Sequence, residues 1–188
     1  SPEAHRKLAA YCRQKGILFL STPFDEDSAD FLESLGMTLF KVPSGELTNL
    51  ALLAHIARKK KPMIVSTGMS TLIEVSAAVE TIRRAGNPPL ALLHCVSDYP
   101  AAPADANLRA MKTMSDEFHV PVGYSDHTLG IAISLAAGAM GAAVIEKHFT
   151  LDKNLPGPDH RMSLDPAELK ALVAGLRQVV AALGDGIK

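Results

Sequence analysis

Several residue types are scarce in this sequence of 188 residues, and each scarcity excludes a class of protein. Only two cysteines occur, Cys12 and Cys95, too few for a disulfide framework, so we expect a protein of the reducing cytoplasm. No apolar run reaches the roughly 18 residues of a membrane-spanning helix, and no signal-peptide pattern opens the sequence. The formal net charge of −1 provides no basic footprint for nucleic acid or a membrane surface. The composition that remains, 47% hydrophobic and 21% charged, is that of a globular protein with one core of ordinary size.

Short apolar runs recur at strand length and predict a parallel sheet. Most of them are continuous rather than alternating, which is typical of strands buried on both faces. Helical patterns separate them, and the capping-box spacing of Thr71 with Glu74 and of Asp165 with Glu168 predicts two helix starts. The basic run at 58–61 predicts a helix end with solvated charge. This alternation indicates an α/β fold, and the runs are ILFLS from 17, LFKV from 39, MIVS from 63, LALLHC from 90, VPVGYS from 120 and AVIEKHF from 143.

Two architectures are compatible with this order, an open doubly wound sheet and a (β/α)8 TIM barrel. No G-x-G-x-x-G motif follows any predicted strand, and polar residues stand at the ends of all six strands rather than at one switch point. Both observations favour the barrel. Eight units typically need about 250 residues, so this sequence carries about six βα units. The capped helix that begins directly at Ser1 leads us to expect that two N-terminal units are absent.

Charged residues at the end of the last predicted strand pose the central question about function. Glu146, Lys147 and His148 follow an apolar run, and side-chain alternation places Glu146 and His148 on one face with Lys147 on the other. His127 ends the preceding strand, so the two imidazoles are candidate ligands of one divalent metal, with Glu146 or Asp126 ligating or orienting them. The alternative is a pair of hydrogen-bonded histidines, because a spacing of 21 residues fits no local metal motif.

Other strand ends carry groups suited to an anion. Ser44, Ser66 and Ser125 offer hydroxyls close to backbone amides at helix starts. Lys41 can bind a phosphate or carboxylate, can form a Schiff base, or can be a buried lysine paired with a glutamate. The segment 150–163 is long for a βα connection, and we expect it either to deliver Asp159 and His160 to the site or to be a rigid surface loop.

Seven motifs together resemble the sialic acid synthase family, which includes the N-acetylneuraminate and legionaminate synthases. They follow one another over essentially the whole chain: STPFDEDSADFL, FKVPSGELTN, IVSTGMST, LLHCVSDYP, VGYSDHTLG, VIEKHFTLDKNLPGPDH and LGDGIK. The resemblance implies a barrel followed by a small antifreeze-like domain that this sequence lacks, and a homodimer. It also implies an enzyme that condenses phosphoenolpyruvate with an N-acetylated hexosamine, such as N-acetylmannosamine or a bacillosamine-derived relative, and releases phosphate. The implied cofactor is Mn²⁺ or Mg²⁺.

The resemblance also assigns roles to individual residues. His127 and His148 match the metal ligands, and the catalytic candidates are Glu46, Lys41 and Asp126. One position departs from the family pattern, because Ser97 stands where many N-acetylneuraminate synthases have asparagine near the phosphate, which favours the legionaminate-like branch. Ser97 is itself a substrate-binding candidate. The residues matched to substrate are Lys41, Ser44, Ser66 and Ser125 for phosphoenolpyruvate, and Thr22, Glu46, Tyr99 and Asp159 for the acceptor or the reacting centre.

Three alternatives remain open from the sequence. A deoxy-heptulosonate or deoxy-octulosonate phosphate synthase has a similar barrel but needs basic residues for a second phosphate, for which Lys147, Lys153 and Arg161 are the nearby candidates. An aldolase would use Lys41 as a Schiff base. A non-catalytic fragment would only bind sugar or assemble with partners.

Overall fold

The computed structural model describes residues 1–185 and residue 187, so Gly186 and Lys188 of the closing LGDGIK motif lie outside the described residues. The five strands stand in the sheet in chain order, and their pairings within each unit below are parallel. This confirms the predicted α/β class with parallel strands. No helix of the described residues is both long and apolar enough to cross a membrane. The elements are α1 (Pro2–Lys15), α2 (Glu26–Ser34), β1 (Phe40–Val42), α3 (Leu50–Arg58), β2 (Met63–Ser66), α4 (Leu72–Ala85), β3 (Leu90–Cys95), α5 (Ala110–Phe118), β4 (Val122–Asp126), α6 (Ala132–Ala139), β5 (Ile145–Lys147) and α7 (Pro166–Leu183).

The predicted first strand at 17–21 is wrong, because this segment forms no strand among the described residues. α1 ends at Gly16 in the left-handed conformation, and the amide of Ile17 still donates to the carbonyl of Cys12. The side chains of Ile17 and Leu18 are 65% and 68% exposed. An apolar run indicates that its side chains favour burial, whereas a strand also needs an adjacent strand that forms hydrogen bonds with its backbone N–H and C=O groups. The described residues therefore form five strands where the sequence predicted six.

The predicted helix starts are confirmed. The side chain of Thr71 accepts from the amide of Glu74, whose carboxylate in turn accepts from the amide of Thr71, so a complete capping box opens α4. Asp165 and Glu168 form the same reciprocal pair at the start of α7. These caps satisfy backbone donors that the first turn of a helix cannot pair internally.

The described chain divides into two compact units, and the first comprises Ser1–Val65 with Ser70–Ala91. In it β1 pairs with β2, with Lys41 opposite Ile64. The prediction of solvated charge at 58–61 is wrong for Lys59, whose side chain is only 10% exposed. Its Nζ donates to Glu33 Oε2 at 2.9 Å and also to Asp30, so it is a partly buried cation held by carboxylates of α2. Those contacts lower the pKa of the Glu33 carboxyl.

The second unit comprises Ser66–Met69 with Leu92–Lys188 and holds the β3-β4-β5 ladder. Gly123 lies where β4 runs closest to its neighbours, because a Cβ there would stand 2.3 Å from the Val144 oxygen and 2.7 Å from Leu93 Cδ2. Only glycine permits this spacing. The register between β4 and β5 sets Ser125 opposite Glu146 and Asp126 opposite Lys147, so the ends of the two strands are aligned.

Candidate active site

The ends of β4 and β5 bring four of the predicted residues together on one face. Ser125 and Glu146 are register partners, and Ser125 Oγ donates to Glu146 Oε1 at 2.7 Å. His127 and His148 each lie two positions further along, so alternation keeps them on the same face. The prediction that Glu146 and His148 share a face, with Lys147 on the other, is confirmed.

The two imidazoles meet although 21 positions separate them in sequence. The ring centroids of His127 and His148 lie 5.3 Å apart with an interplanar angle of 70°. The ring of Tyr99 packs against both, at 4.3 Å from the His127 centroid and 5.8 Å from that of His148. Tyr99 thus forms one wall of the space beside the histidines, and its own side chain stays partly exposed.

His127 is held in a defined tautomer. Its Nδ1 donates to the carbonyl oxygen of Val96 at 2.7 Å, and its backbone oxygen accepts from the amide of Ala101 at 3.0 Å. Burial lowers the pKa of the His127 imidazole because desolvation penalises the charged ring, although the Val96 carbonyl opposes the shift. Nε2 therefore keeps its lone pair. Sequence analysis missed Val96, since a backbone carbonyl acting as acceptor leaves no signal in a side-chain pattern.

His148 is less enclosed, and the loop that follows β5 lies beside it. Its Nδ1 lies 3.7 Å from Asp159 Oδ2, and its backbone oxygen accepts from the amide of Leu164 at 2.9 Å. The backbone carbonyl of Asp159 accepts from Ser163 Oγ at 2.7 Å, which holds the backbone of the loop at this residue. The loop 150–163 therefore brings Asp159 to the site, as predicted, while His160 instead bonds to Thr150 Oγ1 at 2.7 Å.

The arrangement fits two nitrogen ligands of one cation. A metal-bound imidazole places its centroid about 3 Å from the ion, because the metal–nitrogen bond is about 2.1 Å, so a centroid separation of 5.3 Å suits a shared ion. The neutral form of His127 is the form that binds metals. Within residues 1–185 and 187, no group of three or more His, Cys, Asp or Glu side chains is arranged to hold a metal. The described residues thus bring two candidate nitrogen ligands together, His127 and His148.

Behind the histidines, Asp126 and Lys147 form a buried ion pair. Asp126 Oδ2 lies 3.0 Å from Lys147 Nζ and accepts from Ser134 Oγ at 2.5 Å, while Oδ1 accepts from the amide and hydroxyl of Thr128, each at 2.8 Å. Burial lowers the pKa of the Lys147 ammonium, and the Asp126 carboxylate opposes that shift. Both oxygens of Asp126 are thus engaged in buried contacts, and its catalytic role stays a prediction. Sequence analysis did not foresee the pairing, although both residues directly precede a candidate ligand.

The other predicted residues are distributed over both units. In the second unit Ser66 is buried at the end of β2, and Ser97 is half-buried in the segment after β3. In the first unit Lys41 Nζ donates to the backbone oxygen of Val42 at 3.1 Å. The sequence analysis expected an anionic substrate group, a Schiff base or a glutamate for Lys41, and did not foresee this backbone acceptor. The remaining three are Thr22, half-buried before α2, and Ser44 and Glu46 in a 3₁₀ turn after β1, where Glu46 Oε2 accepts from Asn49 Nδ2 at 2.8 Å.

Comparisons with known proteins agree over the whole sequence. A model described as the NeuB family matches residues 1–188. The N,N'-diacetyllegionaminic acid synthase of Legionella pneumophila is 53% identical over 192 residues, covering 100% of this chain and 54% of that protein. The protein of the same name from Campylobacter jejuni is 52% identical over 188 residues, covering 99% and 56%. The solved structure of N-acetylneuraminic acid (sialic acid) synthetase from Leptospira borgpetersenii, in complex with citrate, matches with a TM-score of 0.95 at 37% identity, over 100% of this chain and 65% of that one. The chain spans about half the length of the curated relatives it matches.

Proposed function

Because the chain belongs to the NeuB family, we propose that it carries the reacting centre of an enzyme that joins phosphoenolpyruvate to an N-acetylated hexosamine and releases phosphate. The product is a nonulosonic acid. The observation that supports this most is the convergence of His127, His148 and Tyr99 beside a hydrogen-bonded Ser125–Glu146 pair. The two relatives named N,N'-diacetyllegionaminic acid synthase, both above 50% identity, support an acceptor of the bacillosamine-derived type over N-acetylmannosamine.

His127 and His148 would hold a divalent cation, Mn²⁺ or Mg²⁺. When bound there, the ion supplies Lewis acidity to the aldehyde oxygen of the open-chain acceptor. The Val96 carbonyl keeps His127 in the tautomer with Nε2 available, and Asp159 stands beside His148. Such partners of metal-binding histidines fix ring orientation and raise ligand basicity.

In this proposal, charged side chains of the chain stabilise the charges that develop on the substrates during the reaction. In the condensation, carbon 3 of phosphoenolpyruvate forms a bond to the acceptor's aldehyde carbon, and positive character develops at carbon 2. Glu46 stabilises that charge or directs a water onto it. Addition of water gives a phosphohemiketal, whose carbon–oxygen bond to phosphate then breaks. Lys41 offsets the negative charge of the phosphate and carboxylate groups.

Hydroxyl groups complete the proposed substrate contacts. Four serines line the phosphoenolpyruvate in this proposal, namely Ser44, Ser66, Ser97 and Ser125. Thr22, Tyr99 and Asp159 line the acceptor. Much of the catalysis then consists of positioning two small molecules, which is worth on the order of 7–11 kcal/mol.

The larger assembly is also part of the proposal. We expect the complete protein to close an eight-unit (β/α) barrel, to carry an antifreeze-like domain, and to act as a homodimer in the cytoplasm. The lengths of the curated relatives and the match to the Leptospira borgpetersenii structure support further units beyond those described.

The test is phosphate release from phosphoenolpyruvate by the complete protein. N-acetylmannosamine, a diacetylated bacillosamine-derived hexosamine and a phosphorylated sugar are compared, each with EDTA and with added Mn²⁺. We expect metal-dependent release with an N-acetylated acceptor, and its loss in His127→Ala and His148→Ala. His119→Asn is the control, because His119 is exposed on a left-handed helix end that asparagine also adopts. Full activity of metal-stripped histidine variants, or turnover with the phosphorylated sugar alone, would contradict the proposal.

A further inference from the structure

We propose that the buried Lys147–Asp126 pair is a positioning device that fixes His127 and His148 relative to each other, so that cation affinity depends on two residues that do not contact the cation. This inference rests on the proposed function, because it takes the two histidines as the ligands. It adds a specific role for Lys147 and Asp126 in that site.

The sequence offset is the first observation. Asp126 directly precedes His127, Lys147 directly precedes His148, and Asp126 and Lys147 are register partners in the β4–β5 ladder. Because side chains alternate, the ion pair and the imidazoles lie on opposite faces of the same two strand ends. The contact of 3.0 Å between Lys147 Nζ and Asp126 Oδ2 therefore ties the two ends together directly behind the histidines.

The network also encloses the backbone of His127. Asp126 Oδ1 accepts from the amide and the hydroxyl of Thr128, which is the residue after His127. The Lys147 ammonium donates to the carbonyl of the same Thr128. Ser134 Oγ anchors the other Asp126 oxygen to α6. The residues before and after His127 are thus held by one cluster, and Lys147, the residue before His148, belongs to the same cluster.

Burial makes this pair different from an ordinary surface ion pair. The side chains of Lys147 and Asp126 are 3% and 0% exposed, whereas Lys112 and Asp116 in α5 are 77% and 63% exposed. A buried charge pair gains little net stability over apolar residues of similar volume, so stability alone does not account for it. Its geometric constraint on two neighbouring strand ends gives it a function.

The experiment measures Mn²⁺ affinity of the complete protein by calorimetry and by electron paramagnetic resonance of free Mn²⁺. The variants are Asp126→Asn, Lys147→Met and the double variant, and the control is Lys112→Met with Asp116→Asn, the same chemical change at an exposed pair. We expect each of the three to raise the Kd for Mn²⁺ by about 10–100-fold. The double variant should lose no more than the singles because the pair acts as a unit. The control should match wild type.

The dependence of kcat on Mn²⁺ concentration is a second readout, and it distinguishes a loss of ligand positioning from a general loss of folded structure. Saturating Mn²⁺ should restore kcat in folded Lys147→Met, because the ligands themselves are intact, while the Mn²⁺ concentration for half-maximal rate stays raised. Ser134→Ala keeps both charges and removes one bond to Asp126, so it should fold and should weaken Mn²⁺ binding in the same direction. If the charge variants fail to fold, an unchanged Kd in Ser134→Ala overturns the inference.

The outcomes distinguish the inference from the proposed function. One outcome is that His127→Ala abolishes Mn²⁺ binding while folded Asp126→Asn and Lys147→Met bind Mn²⁺ as tightly as wild type. That outcome would overturn the positioning role alone. Mn²⁺ binding that His127→Ala leaves intact would overturn the proposed ligands, and the positioning role with them.

Discussion

Replacing Tyr124 by phenylalanine should stabilise this protein. Tyr124 is fully buried, and its hydroxyl is the one buried side-chain polar atom of the described residues that lacks a hydrogen-bond partner. The same desolvation raises the pKa of the Tyr124 phenol. The ring packs beside His94, with centroids 5.7 Å apart, and phenylalanine keeps that contact.

The magnitude follows from what the hydroxyl loses on burial. A buried polar group without a partner costs about 1–3 kcal/mol, so removing it should raise the free energy of unfolding by about that amount. Thr67→Val is the matched control for deleting a hydroxyl. Thr67 Oγ1 donates to the Leu93 oxygen at 3.0 Å, so this change should lower the free energy of unfolding by about 1 kcal/mol.

Urea unfolding of the complete protein, followed by circular dichroism, measures both variants. We expect the midpoint of Tyr124→Phe to rise and that of Thr67→Val to fall, with unchanged slopes. A loss of stability in Tyr124→Phe would refute the reasoning, because it would mean that the hydroxyl has a partner, such as an ordered water.

Two further predictions concern pH and packing. Burial lowers the pKa of His94 below 6.5, so the unfolded state binds more protons at mildly acidic pH. The free energy of unfolding should therefore decrease as the pH is lowered from about 6.5, by up to about 1.4 kcal/mol per pH unit. In urea titrations at several pH values, His94→Gln should show a smaller decrease per pH unit. An equal decrease in wild type and His94→Gln would contradict this. Gly123→Ala sets a Cβ 2.3 Å from the Val144 oxygen and should cost at least about 3 kcal/mol. Gly138→Ala, which meets only Leu176 Cδ2, should cost less by the same assay, and equal costs would contradict the packing argument.

The sequence predicted local structure well where one short pattern determines it. The capping boxes at Thr71 and Asp165 appear as predicted, because the pairing partners lie three residues apart. The prediction of a strand at 17–21 was wrong because the apolar content of this run resembles that of β1–β5. Composition does not reveal whether a segment has an adjacent strand to pair with. The prediction of a solvated charge at Lys59 was wrong for a related reason, since its carboxylate partners lie 26 and 29 positions earlier in α2.

The candidate site was predictable to the extent that strand alternation and parallel order determine it. Those two rules place His127 and His148 on one face at neighbouring strand ends, and the structure brings their rings together. They also send Lys147 to the other face. They do not identify Asp126 as its partner, because the choice of partner depends on the register between β4 and β5, which those two rules leave undetermined.

The closure of the loop 150–163 has a consequence for how specificity can change. The amide of Thr150 donates to the Leu164 oxygen, and the amide of Leu164 donates to the His148 oxygen, so the two ends of the loop are pinned to each other and to the strand. Residues 151–161 therefore lie between two fixed anchors, and many of them are exposed. We expect substitutions at those exposed positions to change the preference for the acceptor while the backbone of His148 keeps its place.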